Sequence, residues 1–493
     1  MNILLIHPNF HCGGAELAIG TMTPLGLLYL GGTLIEKGHK VELLDASKLN
    51  LEDEDIYDFI KQSDPDAVCV GSSASTPTSN KCLKVLKMAK EVRSDIITVY
   101  GGVHPTFLYQ EVMENHVHVD FIIKGEGEET IGELFDNLKE KSLKNINGLV
   151  WRNGKEFFVN NPREPIKNLD SLKIAWELID WELYKNGTTN EITAVVQFSR
   201  GCPSSCTFCG QWKFWEKYRC RNPIQFVDEL EYLNKKYNVT YFFFADENPA
   251  VNQKKWISVL QEIINRNLKI HMILNLKVTD VIRDIEYLEL YKRSGIVHVD
   301  LGMEGIEQEF LNKINKSTSV NDNKNAIQVL KKWEIAVSVN LLIGDRNENR
   351  KSLKKKFKIM RKWDPDFVIV YLPVPFLWTD LYNEAKDWIR TFDYEEWNYV
   401  NPIIIPKDYN TSDMINDLLI EYFKFVFRPI KLFKILFTED KYKRKFTLAY
   451  IKDGILHGLY QKYRRLRPII KFLHVRFHKK NKQPIFPLFG RGV

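Results

Sequence analysis

The feature that most constrains the fold is an alternation of short apolar strands with amphipathic helices that occurs twice and is interrupted once. From residue 1 to about 140, the runs Ile3 to Ile6, Lys40 to Leu44, Ala67 to Val70, Ile97 to Tyr100 and Phe121 to Ile123 are separated by helical stretches. This pattern predicts a doubly wound, parallel α/β sheet. From about 190 to 400 it returns, at Ile192 to Phe198, Thr240 to Phe244, Lys269 to Asn275, Val297 to Gly302, Ala336 to Ile343 and Phe367 to Leu372. Six β-α units are fewer than a closed eightfold barrel needs, so a partial (β/α)6 barrel is expected.

Domains are therefore expected at 1–140 and 191–400. A linker at 141–190 carries turn signals and the aromatic segment with Trp176, Trp181 and Tyr184, read as interdomain core. Beyond 400 the alternation stops and a basic helical C-terminal region, 401–493, takes over. Between residues 441 and 482 stand fourteen lysines and arginines, more than the whole net charge of +7. A basic helical face is most often simply solvated, but aromatic residues interleave this one, which suggests contact with an anionic membrane surface or an acidic amphipathic substrate. No RNA-recognition motif is present, and nucleic acid is not the expected partner.

Seven cysteines without a paired framework suit a reducing cytoplasm. The amino terminus reads as a first strand rather than a signal peptide, and no apolar run is long enough to span a bilayer.

Three of the cysteines, Cys202, Cys206 and Cys209, follow the strand from Ile192 in a C-x3-C-x2-C spacing. Thiolates select iron-sulfur clusters, zinc or Cu(I), and a structural zinc site wants four ligands. Three cysteines leave one metal position open. Cys220 lies beyond the loop and reads as a bystander. The spacing alone also admits a zinc knuckle.

With an aromatic, Phe208, before its last cysteine, this motif resembles the radical S-adenosylmethionine (SAM) signature. The resemblance implies a four-iron, four-sulfur cluster on the three cysteines, SAM chelated at the open iron, and a low-potential electron donor such as flavodoxin or ferredoxin. Phe208, Glu247, Asn275 and Glu304 are the residues it places near SAM. Ala245 and Asp246 replace the two glycines of the family's Gly-Gly-Glu motif.

Polar and glycine-rich turns follow the strands of the first alternation and fall on one predicted sheet edge. The set resembles the cobalamin-binding domain that precedes many radical SAM cores. It implies cobalamin contacts at Asn9, Gly13, Ser73, Thr76, Gly102, His104, Glu126 and Gly127. The Asp-x-His-x-x-Gly motif of that fold is absent, so cobalt should lack a histidine from it.

Four stretches narrow the resemblance: His7 to Glu16, Gln211-Trp-Lys-Phe-Trp215 with Tyr218-Arg219, Ala245 to Pro249, and Phe392-Asp-Tyr394 with Asn401-Pro402. All resemble the anaerobic magnesium-protoporphyrin IX monomethyl ester oxidative cyclases. That family closes the fifth ring of chlorophylls without molecular oxygen. The resemblance implies a tetrapyrrole substrate, with Trp212 and Trp215 on its face and Lys213 or Arg219 on its propionate. Cys12 and Thr23 to Tyr29 depart from the cyclase pattern towards the generic cobalamin-dependent branch. A cobalamin-dependent methyltransferase, or a non-catalytic cobalamin or metal sensor, remains the alternative.

Overall fold

The computed structural model describes residues 1–9, 22–72, 75–138, 143–185 and 191–429, together with 444, 445 and 448. Gly13, Ser73 and nearly all of the basic 441–482 segment lie outside the described residues. The helix Thr411–Val426 belongs to the C-terminal region and is tied to the barrel's last long helix by Arg361 and Glu421 at 2.7 Å.

The first sheet has the order β2-β1-β3-β4-β5-β6-β7. Its strands are β1 (Asn2–His7), β2 (Lys40–Asp45), β3 (Ala67–Val70), β4 (Ile97–Gly101), β5 (Phe121–Ile123), β6 (Leu149–Asn153) and β7 (Glu156–Val159). The first five pair in parallel, and their apolar character follows from burial on both faces. β3, Ala-Val-Cys-Val, is buried along its whole length. Residues 149–159, placed by the sequence in the connecting segment, form an antiparallel hairpin on the edge of this sheet.

The second alternation gives β8 (Ile192–Val196), then a small antiparallel pair, β9 (Ser199–Arg200) and β10 (Arg219–Cys220). β11 (Val239–Phe244), β12 (His271–Lys277), β13 (Ile296–Glu304), β14 (Ala336–Leu342) and β15 (Phe367–Tyr371) follow. β8 and β11 to β15 form a six-stranded parallel sheet in sequence order, with β8 and β15 at its two edges. This is the expected open (β/α)6 arrangement. Asparagine caps start its helices: Asn222 accepts from the amides of Ile224 and Gln225 ahead of Pro223–Tyr237, and Asn349 closes a capping box on Arg350–Trp363.

One apolar core runs from the barrel into the first domain. It contains Leu25, Leu28 and Tyr29 of the helix Leu25–Glu36 together with Trp176, Trp181 and Tyr184. Trp181 stacks on Tyr237 at 5.0 Å. The approach is close enough to require glycine at position 32, where a Cβ would lie 2.2 Å from the carbonyl oxygen of Lys173.

Candidate functional site

At the carboxyl ends of β11 to β14 the barrel opens into a cavity of about 250 Å³. Cys202, Cys206 and Cys209 line it, with Phe208, Glu247, Asn275 and Glu304. All seven were expected from sequence to share one site, and the fold brings them together. Among the described residues no three His, Cys, Asp or Glu side chains gather as ligands of a single ion.

The loop is braced from several sides. Asn315 accepts the Cys206 thiol at its carbonyl, 3.8 Å away, and its amide donates to the Ser205 carbonyl at 3.0 Å. The Trp212 indole donates to the Cys206 carbonyl at 3.3 Å. Burial pushes the Cys209 thiol up to about 12, helped by the nearby Glu247 charge, and raises Cys206 against the pull of Lys316. Such thiols are poor free nucleophiles, but metal coordination deprotonates a thiol outright.

Asp246 and Glu247 are both pushed up to about 7 by burial. Their roles differ. Asp246 turns back and accepts the amides of Phe198 and Ser199, at 3.0 and 2.5 Å, and the Ser199 hydroxyl at 2.5 Å. It thus fixes the backbone that launches the cysteine loop, where the family motif carries glycine. Glu247 faces the cavity, and the Trp215 indole offsets part of its shift.

Glu304 ends β13 at φ +68°, a conformation unfavourable for a side chain, and pairs with buried Lys316 at 3.0 Å. Lys316, Asp300, Asn340 and Ser204 line the cavity but were not predicted. Asp300 stands opposite Asn275 in the parallel register of β12 and β13, a neighbour that only the strand pairing reveals. Lys316 had no readable signal, because it follows a short helix outside any motif. The Asn340 side-chain oxygen is buried without a partner in this polar cavity, which fits a ligand with a donor there.

The edge expected to hold cobalamin is formed by the ends of β1, β3, β4 and β5. Asn9 donates to the Leu51 carbonyl at 2.6 Å, while its own side-chain oxygen is buried and unpaired, as suits a site for a polar ligand. Gly102 has φ +112°, with a Cβ position 3.2 Å from the Ser75 hydroxyl. His104 and Thr76 are buried 3.4 Å apart, and the imidazole meets the Tyr394 ring edge-on at 5.0 Å. Gly127 packs on Leu30.

Two expected ligand residues are turned elsewhere. Glu126 and Arg219 pair with each other at 2.6 Å inside the domain interface, where burial makes an opposite charge the favourable partner. Lys213 pairs with Asp380 at 2.6 Å, and Trp215 lies against the Arg200 guanidinium at 5.3 Å.

Burial pushes His104 down from 6.5 to about 4. A histidine with a lowered folded value takes up a proton on unfolding, so its contribution is intact at neutral pH. It is lost as pH falls from 6.5 towards 4, by up to about 3 kcal/mol. The stability gap between the native chain and His104→Gln, measured by denaturant unfolding, should therefore narrow between pH 7 and pH 5. A gap independent of pH would refute this reading.

Comparison with known proteins agrees with this architecture. Residues 16–135 match the B12 binding domain, and residues 196–358 match the Radical SAM superfamily. The anaerobic magnesium-protoporphyrin IX monomethyl ester cyclase of Rubrivivax gelatinosus is 36% identical over 471 residues, covering 94% of this chain and 84% of that protein. An uncharacterized methyltransferase of Pyrococcus horikoshii is 28% identical over 467 residues, covering 94% and 99%. The structure of the radical SAM methyltransferase TsrM from Kitasatospora setae, with cobalamin and a 4Fe-4S cluster bound, superposes with a TM-score of 0.69 at 14% identity. It covers 93% of this chain and 99% of that one.

A B12 binding domain joined to a radical SAM barrel defines a cobalamin-dependent radical SAM enzyme. Within that class, the chain belongs to the family of the anaerobic magnesium-protoporphyrin IX monomethyl ester cyclases. Its cofactor set is the family's: a four-iron, four-sulfur cluster, SAM and cobalamin.

Proposed function

We propose that this enzyme carries out the oxygen-independent oxidative cyclisation of magnesium-protoporphyrin IX monomethyl ester, forming the fifth ring of chlorophylls and a protochlorophyllide product. The observation that carries the reading is the 36% identity to a cyclase across 94% of the chain.

In this reading Cys202, Cys206 and Cys209 hold the cluster. Glu247 takes the ammonium of SAM, Phe208 packs beside it, and Asn275 and the Glu304–Lys316 pair serve its polar groups. Bound there, these cofactors supply one-electron cleavage of SAM and a carbon radical that abstracts hydrogen from the substrate.

The chain's own part is binding and orientation. Trp212 and Trp215 offer aromatic surface on the helix Gln211–Trp215, next to the cysteines. Lys213 supplies a cation for an ionised propionate, with Asp380 as its present partner. Asn9, Thr76, Gly102, His104 and Gly127 remain the described candidates for the cobalamin edge. Glu126 and Arg219 are better assigned to the interface.

A low-potential flavodoxin or ferredoxin is the electron donor in this scheme. Among the described residues no helix is long and apolar enough to cross a membrane. We place the enzyme in the cytoplasm, with the basic C-terminal region as a point of peripheral membrane contact.

A second reading, transfer of a methyl group from cobalamin to another substrate, is favoured by the likeness to the Pyrococcus horikoshii methyltransferase. The deciding experiment supplies magnesium-protoporphyrin IX monomethyl ester, SAM and reductant anaerobically to the reconstituted enzyme. Ring-closed product with deoxyadenosine is expected. A methylated product with no ring closure would reject the cyclase reading.

A further inference from the structure

The cysteine loop leaves the barrel at Arg200 and returns at Arg219, and these two residues face each other across the β9–β10 pair. Both guanidinium groups close on one carboxylate of the other domain. Glu126 accepts from Arg200 at 2.7 Å through one oxygen and from Arg219 at 2.6 Å through the other. Arg200 also donates to Glu128 at 2.5 Å. Arg219 donates to the Ile166 carbonyl at 2.7 Å and, on the loop itself, to the carbonyls of Trp215 and Lys217, each at 3.2 Å.

The side chains of Arg200, Glu126 and Glu128 are only 3, 5 and 7% exposed, and that of Arg219 is 11% exposed. Removing one member from such a group leaves a buried charge without its counterpart. The neck of the loop is thus tied to the 125–128 turn of the first domain by buried ion pairs.

We propose that Glu126 is a positioning residue for the cluster: it staples the neck of the cysteine loop, so the first domain sets how the second presents its thiols to the cluster and SAM. Arginine suits this use at both positions, since one planar fork can hold a carboxylate and backbone carbonyls together. The proposal rests on assigning the cluster to Cys202, Cys206 and Cys209.

The test is Glu126→Gln in the full chain, which keeps the shape and removes the charge. In the cofactor-free chain, amide hydrogen exchange over residues 201–218 should accelerate about tenfold or more. Cobalamin affinity should stay within about twofold of the native value. After reconstitution, the change that SAM causes in the electron paramagnetic resonance of the reduced cluster should weaken, and deoxyadenosine formation should fall about 10- to 100-fold. Arg219→Lys, which keeps the charge but loses the fork, should move the same readouts in the same direction if Glu126→Gln fails to fold.

Loss of cobalamin affinity with exchange and resonance unchanged would overturn the proposal and make Glu126 a cobalamin contact. No change in any readout would make the cluster of charges a passive interface. Failure of the cysteine assignment is distinguished by Cys206→Ala, which would then retain its iron.

Discussion

Cys206→Ala is expected to abolish both cluster assembly and turnover. The Trp212 indole on the Cys206 carbonyl and the Asn315 amide on the Ser205 carbonyl both hold backbone atoms that the variant keeps, so alanine removes a thiolate ligand while the loop stays braced. Iron and sulfide content after anaerobic reconstitution, the visible absorption of the cluster and deoxyadenosine formation should all fall to background. A full cluster signal in this variant would discredit the ligand assignment. Cobalamin uptake should survive, because the expected cobalamin edge lies on the other sheet.

Gly201→Ala is expected to be almost as damaging although it removes no ligand. Gly201 has φ +87°, where a side chain costs about 1–3 kcal/mol. A Cβ there would also lie 2.5 Å from the Lys217 carbonyl oxygen. That oxygen is backbone and cannot swing away, so the neck between β9 and β10 must open. We expect incomplete cluster incorporation and a large loss of SAM cleavage, with the far-ultraviolet circular dichroism close to native. Normal iron content and native turnover in Gly201→Ala would show that the neck tolerates opening. Together with Glu126→Gln, this variant separates distortion of the neck from loss of its charge.

Much of the architecture was legible because it is local. The parallel strands announce themselves as short apolar runs, since burial on both faces leaves no polar alternation. The cysteine spacing, Phe208, the acids after β11 and the acid that ends β13 lie at strand ends, where an α/β fold collects its site. The Trp176, Trp181 and Tyr184 segment was readable as interdomain core because large aromatic side chains away from any ligand motif are most stable when buried.

Where the reading fell short, the missing information was a partner far away in the chain. Residues 149–159 carry hairpin signals, but nothing in them says that β6 pairs with β5. Glu126 follows a strand end among glycines, as a ligand-binding turn would, yet it is spent on Arg200, 74 residues away, and Arg219, 93 residues away. Arg219 likewise looked like a free cation beside a cluster of aromatics. Lys316 became part of the cavity only when the segment after Gln308–Lys313 folded back over the cysteine loop, with the Thr207 amide donating to the Ile314 carbonyl at 3.1 Å.

The sequence by itself determined the two α/β units, the three-cysteine loop and part of the set of residues gathered around it. These follow from periodicity, side-chain chemistry and short spacings, which survive without knowledge of tertiary contacts. Only the tertiary structure decided which charges face a ligand and which face each other. Compensation of a buried charge depends on distances between residues remote in sequence, and a carboxylate with its arginine on another domain reads, in one dimension, like one waiting for a cofactor.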